Sequence, residues 1–219
     1  MHTQHDTTVF DYTALLSSIR QVAPEAHIAG GAVRDTLLEK PIHDIDVFLD
    51  DANLEAAAAH LRSAHAYVKV GEWKEYLGFS DPAMTHLAKF EKADAPIPVC
   101  LIGLKPDFVD PAANMSRFDF GICMAAFDGT TVTRTAEFND DAEAKTFTLH
   151  RADNLAQFSY SMSRFKKITA GRYAGWGLVV PQEFAALATE HTMKRHWYQE
   201  ADKFGLRGSA LRPKERAFA

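Results

Sequence analysis

Asp44 and Asp46 flank Ile45 in the run Asp44-Ile45-Asp46-Val47-Phe48-Leu49. Residues two apart in a strand project to one face, so this spacing predicts two carboxylates side by side with Ile45 facing away. Such a pair repels itself unless a cation joins it. Hard carboxylate oxygens with room left for substrate phosphates suit Mg²⁺, and Mn²⁺ takes the same donors. Asp44 and Asp46 are therefore the candidate metal ligands and catalytic residues. Upstream, Gly30-Gly31 precedes a helical run, Ala32–Leu38, that carries Arg34 and Asp35. Paired glycines let a backbone approach a ligand closely, and the start of a helix presents free N–H groups and a positive dipole end that suit phosphate. Gly30, Gly31 and Arg34 are candidate nucleotide-binding residues, joined to the carboxylate pair by one helix.

The elements that must hold these groups follow from the apolar pattern. A short strand over Ala26–Ala29 feeds the glycines, Pro41 breaks the helix, and Ile45–Leu49 is a second strand. Ile97–Leu104, which reads IPVCLIGL, has no polar side chain and is expected to be a central buried strand with Pro98 tolerated only at its very start. Arg117–Phe127 is expected to be another strand, with Arg117 and Asp119 on one face. Short strands are expected at Tyr67–Val70, Leu87–Phe90, Thr131–Arg134 and Thr146–Leu149, with helices over Asp11–Val22 and Asn53–Ala64. The loop Gly71–Ala83 holds Trp73, Tyr76, Phe79 and Pro82 and is expected to cover a sheet edge. Asn139–Ala144 reads as a solvated acidic loop. Beyond Asn154 the character changes. Phe158–Tyr173 spaces aromatic and aliphatic residues for a helix with basic residues between them, among them Arg164, Lys167 and Arg172. Pro181–Lys203 is expected to be a final helix and Gly205–Ala219 a loose basic tail.

Composition bounds the reading. The 219 residues correspond to one large domain or one domain with an extension. The expected division is 1–150 and 151–219. A formal net charge of −5 gives no whole-molecule signature of nucleic-acid binding, although basic residues gather after Arg151. Cys100 and Cys123 lie in apolar runs without a CxxC pair, which argues against zinc and for reduced core residues. No signal peptide and no membrane-length apolar run is visible, so no membrane partner is expected and the cytoplasm is the default compartment.

Gly30-Gly31-Ala32-Val33-Arg34-Asp35 followed by Asp44-Ile45-Asp46 resembles the head domain of class II CCA-adding enzymes and bacterial poly(A) polymerases. That family, within the DNA polymerase beta-like nucleotidyltransferases, reads GGxVRD, a few residues ending in Pro, then DxD. The resemblance implies an α+β fold: a mixed central sheet with flanking helices as the head, then a short helical neck-like extension. Ser116–Phe127 resembles a second family motif, RRDFTINAMA, in part. Arg117, Asp119, Phe120 and Ile122 match, while Phe118, Gly121 and Cys123 replace Arg, Thr and Asn. The implied reaction is transfer of a nucleoside monophosphate from a nucleoside triphosphate, ATP among them, to an acceptor such as a tRNA-type RNA 3′ end. The implied roles are Mg²⁺ or Mn²⁺ on Asp44 and Asp46, triphosphate on Gly30, Gly31 and Arg34, and sugar or phosphate on Arg117 and Asp119. Arg164, Lys167 and Arg172 are neck candidates, and Asp35 orients Arg34.

Two features depart from the family. Its members often carry a third carboxylate on a later central strand, but Ile97–Leu104 has none, and Cys100 or Val99 stands in its place. Asp119 or Asp110 fills the role, two carboxylates suffice, or activity is weak or lost. The segment after Asn154 is also too short for the family's helical body and tail. The alternative is therefore a catalytically lapsed nucleotide- or RNA-binding module that acts as a regulator or inhibitor.

Overall fold

Strand alternation decides how the centre of the molecule is built. In the computed structural model, which describes residues 2–4, 12–74 and 81–203, β3 (Ile45–Asp50) pairs in parallel with β6 (Ala95–Leu104), matching Ile45 to Val99 and Asp46 to Cys100. Ile45, Val47 and Leu49 join Val99 and Leu101 in the larger hydrophobic cluster. Phe48 joins Cys100, Ile102 and Leu104 in a smaller cluster on the opposite face. Asp46 shares its face with Phe48, so it stands on the thinly covered side of the sheet.

The remaining strands extend this pair. They are β1 (His2–Gln4), β2 (His27–Ala29), β4 (Val68–Lys74), β5 (Met84–Lys92), β7 (Ala125–Phe127) and β8 (Val132–Arg134). Among the described residues they form one eight-stranded sheet in the order β1-β8-β7-β2-β3-β6-β5-β4. Only β3 and β6 run parallel within it. β9 (Thr146–Thr148) and β10 (Gly177–Val179) make a separate parallel pair. The helices are α1 (Thr13–Ile19), α2 (Gly31–Leu37), α3 (Asp51–His65), α4 (Pro111–Met115), α5 (Ala136–Ala144), α6 (Leu155–Thr169) and α7 (Ala185–Lys203). The Asp50 carboxylate caps α3 by accepting from the Ala52 N–H, and the Asn154 side chain caps α6 through the Gln157 N–H. No helix among the described residues is long and apolar enough to cross a membrane.

Four local expectations are corrected. Arg117 and Asp119 are not on a strand: the segment turns through a short 3-10 helix at Gly121–Cys123, and only Ala125–Phe127 joins the sheet. Asp141 explains the turn. It is buried, accepts from the Ile122 N–H at 2.8 Å, and lies where a Cβ on Gly121 would meet it at 2.9 Å. Asn139–Ala144 is the second half of a helix, α5, not a loop; Thr135 caps it and Phe138 and Asp141 face inward. The loop expected at Gly71–Ala83 begins as strand, since β4 continues to Lys74. Pro98 sits inside β6 rather than at its start. The β3 pairing begins only at Val99, and the β5 pairing is irregular between Phe90 and Lys92, so no ladder hydrogen bond is asked of it. Asp11, Tyr76, Phe79 and the tail Gly205–Ala219 lie outside the described residues.

His27 gives this core a pH dependence. It is fully buried in β2, its Nε2 accepts from the Asn114 amide at 2.9 Å, and Asn114 Oδ1 in turn accepts from Arg117. Burial pushes its pKa down to about 4. The unfolded chain binds a proton near pH 6.5 that the folded chain refuses, so stability falls as pH drops from about 6.5 to about 4, by roughly 3 kcal/mol in all. Denaturant melts across that range should show the slope in the wild type, and His27→Gln should flatten it. An unchanged slope in the variant would assign it to other groups.

Candidate active site

Asp46 is half-buried in β3, and Asp44 is exposed one residue before the strand. Burial, and then the charge of Asp44, push the Asp46 pKa up to about 7. The two carboxylates are therefore close and under-compensated. Cys100 lies directly beside Asp46 in the register, and its pKa is pushed upward by burial and by both aspartates. Of the two positions open to a third carboxylate on this strand, Cys100 is the one that shares a face with Asp46; Val99 points into the large core.

Helix α6 closes the cleft from the other side. Ser161 and Arg164, three apart, fall on one helix face and both bond Asp119: Ser161 Oγ donates at 2.8 Å and Arg164 Nη1 at 2.8 Å. Asp119 is the main cause of the raised Arg164 pKa, and Asp46 contributes. The Arg164 guanidinium thus binds Asp119, acts electrostatically on Asp46, and has its centre 5.8 Å from the Tyr160 ring. Burial raises the Tyr160 pKa, with contributions from Asp119, Asp46 and Asp44. The sequence placed Tyr160 on the apolar stripe of this helix and gave Ser161 no role. Their spacing to Arg164, four and three residues, is the signal that links them to the site.

The other candidates are placed as follows. Gly30 has φ +76°, a backbone that glycine adopts without strain, and its N–H is already bonded to the Ala125 carbonyl. The Phe118 ring, in the place of the family's second arginine, lies 3.5 Å from where a Gly30 Cβ would be. Gly31 opens α2. Arg34 is 2% exposed and turned inward: its Nε donates to Asp35 at 2.8 Å and to the Tyr173 hydroxyl at 3.0 Å, and its Nη1 meets Cys123 Sγ at 3.3 Å. Asp35 also accepts from Tyr173 and, at its other oxygen, from Arg172. Arg172 donates to the Pro41 carbonyl as well, so it braces the end of α6 against α2 and does not enter the cleft with Arg164. Arg117 pairs with Asp81 and Asn114, and its buried Nε has no partner among the described residues. Lys167 is exposed in the last turn of α6. The structure therefore joins Asp119 to Arg164, whose charge also acts on Asp46, while Arg34 touches Cys123, which feels the charges of Arg164 and Asp119 too; Arg172 and Arg117 are engaged with Asp35 and Asp81.

Among the described residues no group of three or more His, Cys, Asp or Glu is arranged to hold a metal. The pair Asp44–Asp46 nevertheless fits a divalent ion of the Mg²⁺ or Mn²⁺ kind. It offers hard oxygens at a position where burial, and then the neighbouring carboxylate, disfavour a second bare negative charge, and such ions take their remaining ligands from water and phosphate.

Comparison with known proteins assigns the chain. A family model described as Gabija anti-defense 2 (Gad2) family protein matches residues 5–145. The chain belongs to this Gad2 family. It is also 37% identical over 57 residues to the CCA-adding enzyme of Streptococcus pyogenes serotype M5 (strain Manfredo), a stretch that is 26% of this chain and 14% of the enzyme. Among solved structures, a tRNA-processing enzyme in an apo form superposes with a TM-score of 0.58 at 18% identity, over 86% of this chain and 49% of that one. The Thermotoga maritima CCA-adding enzyme complexed with tRNA gives 0.55 at 15% identity, over 86% and 43%. A CCA-adding enzyme with CTP gives 0.55 at 16% identity, over 89% and 45%. The fold of this Gad2 family member is thus that of a nucleotidyltransferase head, as its motifs led us to expect. The chain spans about half the length of these structures, or less.

Two substitutions test the geometry. Arg34→Ala strands the buried Asp35 with Arg172 and Tyr173 alone, and should cost about 3 kcal/mol in a denaturant melt. Arg34→Lys should recover only part, since an ammonium cannot reproduce the planar contacts. A wild-type melt for Arg34→Ala would show that the pair does not hold the fold. Cys100→Asp puts a third carboxylate beside Asp46. It should lower the melting temperature in chelator, and Mg²⁺ or Mn²⁺ should raise that temperature more than in the wild type. An equal response to metal in both proteins would place Cys100 outside the metal's reach.

Proposed function

We propose that this Gad2 family member counteracts a Gabija-type defence system through metal-dependent nucleotidyl transfer at Asp44 and Asp46. The observation that carries this reading is the intact carboxylate pair on and just before β3, with Arg164 near enough for its charge to act on Asp46. The family's description supplies the biological direction. The structural neighbours, described with CTP, an ATP analogue and tRNA, supply the substrate class: a nucleoside triphosphate, and an acceptor of the RNA 3′-end type. In this reading the chain acts in the cytoplasm, with 1–150 as head and 151–219 as neck-like extension.

The acceptor hydroxyl oxygen bonds to the α-phosphorus, the bond to the β-phosphate oxygen breaks, and pyrophosphate leaves. Asp44 and Asp46 would hold Mg²⁺ or Mn²⁺, which when bound supplies Lewis-acid stabilisation of the phosphoryl oxygens and makes a hydroxyl easier to deprotonate. Arg164 meets the nucleotide with a full positive charge, and Asp119 and Ser161 fix its direction. The opening of α2 at Gly31 lies where phosphates are received, and Arg34 acts on them through the helix it anchors. Lys167 extends the positive face of α6 outward towards the acceptor strand.

A second reading has its own observations. Cys100 in the place of a third carboxylate, and Phe118 against Gly30 in the place of an arginine, favour a domain that binds without catalysis and inhibits by occupation. One experiment separates the two. Pyrophosphate release would be followed with each nucleoside triphosphate in Mg²⁺ or Mn²⁺, beside inhibition of a reconstituted Gabija system. Asp44→Asn with Asp46→Asn should reduce release by roughly a thousandfold, the scale on which loss of a preorganised charge-stabilising group acts, and should abolish inhibition. The variant should remain folded, because a repelling pair has been removed. Full inhibition by this variant would favour the binding module and overturn the catalytic reading.

A further inference from the structure

Away from the carboxylate cleft, a cavity of about 510 Å³ opens between the end of α2, the end of α5 and the turn after α6. Leu38, Lys40, Lys145, Gly175 and Trp176 line it, and none of them belongs to the Asp44–Asp46 site. Its size is that of a small-ligand pocket. Lys40 and Lys145 are two of its lining residues, and neither forms an ion pair among the described residues. Two uncompensated cations around one hollow hold an anion, and ammonium groups with three donors each suit phosphate.

Trp176 supplies a different surface. Its ring is held edge-on by Tyr173, with centroids 4.9 Å apart at 89°, and by Phe147 at 5.8 Å and 66°. An indole fixed in this way, half-buried at the cavity's edge, meets a flat ring there at little entropic cost. The walls are tied in place by the backbone. The Gly177 N–H donates to the Lys145 carbonyl at 3.0 Å, which joins the Trp176 turn to the end of α5, and the Lys40 N–H donates to the Asp35 carbonyl at 2.7 Å. Gly175, at φ +85°, has open space where a Cβ would stand, so no side chain closes the mouth there.

We propose that this cavity is a second ligand site for a small phosphorylated molecule bearing a flat ring, of the nucleoside monophosphate class. Lys40 and Lys145 hold the phosphate and Trp176 stacks on the ring. The site needs no metal and stands independently of catalysis at Asp44 and Asp46.

The test is a fluorescence titration of the full chain in EDTA, with Trp73→Phe and Trp197→Phe introduced so that Trp176 is the reporter. AMP, adenosine and pyrophosphate are the probes. AMP should change the Trp176 emission saturably and bind at least about tenfold more tightly than adenosine or pyrophosphate, since each lacks one half of the contacts. Lys40→Ala with Lys145→Ala, checked for fold by circular dichroism, should weaken AMP at least about tenfold, while Asp44→Asn with Asp46→Asn should leave AMP binding unchanged. Equal binding of AMP and adenosine would overturn the proposal. So would pyrophosphate binding as tight as AMP, unchanged affinity in the lysine variant, or loss of the signal in the aspartate variant. Because chelator removes the metal, failure here leaves the catalytic reading standing, and the reverse also holds.

Discussion

Two carboxylates two residues apart at the start of a strand, one of them half-buried, cannot both stay ionised without positive charge nearby. This repulsion between Asp44 and Asp46 organises the rest of the site. β3 brings Asp46 to the thin side of the sheet, where only a small cluster of apolar side chains covers it. β6 lays Cys100 alongside, and a protonated thiol brings no charge to offset the carboxylates. Helix α6 answers with Arg164, which is held off the carboxylates by its direct bonds to Asp119. The cleft is left with fixed positive charge on one wall, carboxylates on the other, and proton affinity near neutral pH between them. A metal–phosphate pair complements this arrangement, whereas a neutral ligand does not.

The cleft has two walls only because α6 is fastened to the head. Ser161 and Arg164 fasten the helix itself to Asp119, and the residues just beyond it are fastened to Asp35, which pairs with Arg34 at 2% exposure on both side chains. Tyr173 and Arg172, just beyond α6, take up the remaining capacity of Asp35, and Arg172 also reaches the Pro41 carbonyl. The helix that leads to the carboxylate strand and the helix that bears Arg164 therefore share one polar knot. A buried ion pair adds little net stability against an apolar replacement, but removal of one partner is costly, which suits a joint that fixes geometry.

The sequence made the chemistry of β3 legible because period two and a like-charge pair are local signals. The long apolar run of β6 was legible for a similar reason: both faces are covered, so no alternation is needed. The motif around Arg117 was misread as a strand because its turn is set by Asp141, twenty residues on from Gly121 and hidden in what looked like a solvated acidic loop. Arg34, Arg117, Arg164 and Arg172 are alike as residue types. Partners far along the chain, Tyr173, Asp81, Asp119 and Asp35, decide which one faces the cleft, and no local pattern encodes those pairings. β10 was missed because three residues, the first of them a glycine, carry too little periodicity to register.

The account turns on whether the carboxylate pair holds a metal-bound nucleotide. The direct measurement is a crystal structure with Mn²⁺ and a non-hydrolysable nucleoside triphosphate, with anomalous scattering used to locate the manganese. The account expects an anomalous peak within bonding distance of both Asp44 and Asp46, and the nucleotide in the cleft with Arg164 against it. Manganese absent from the pair, or a nucleotide bound without contact to Asp44, Asp46 or Arg164, would contradict it.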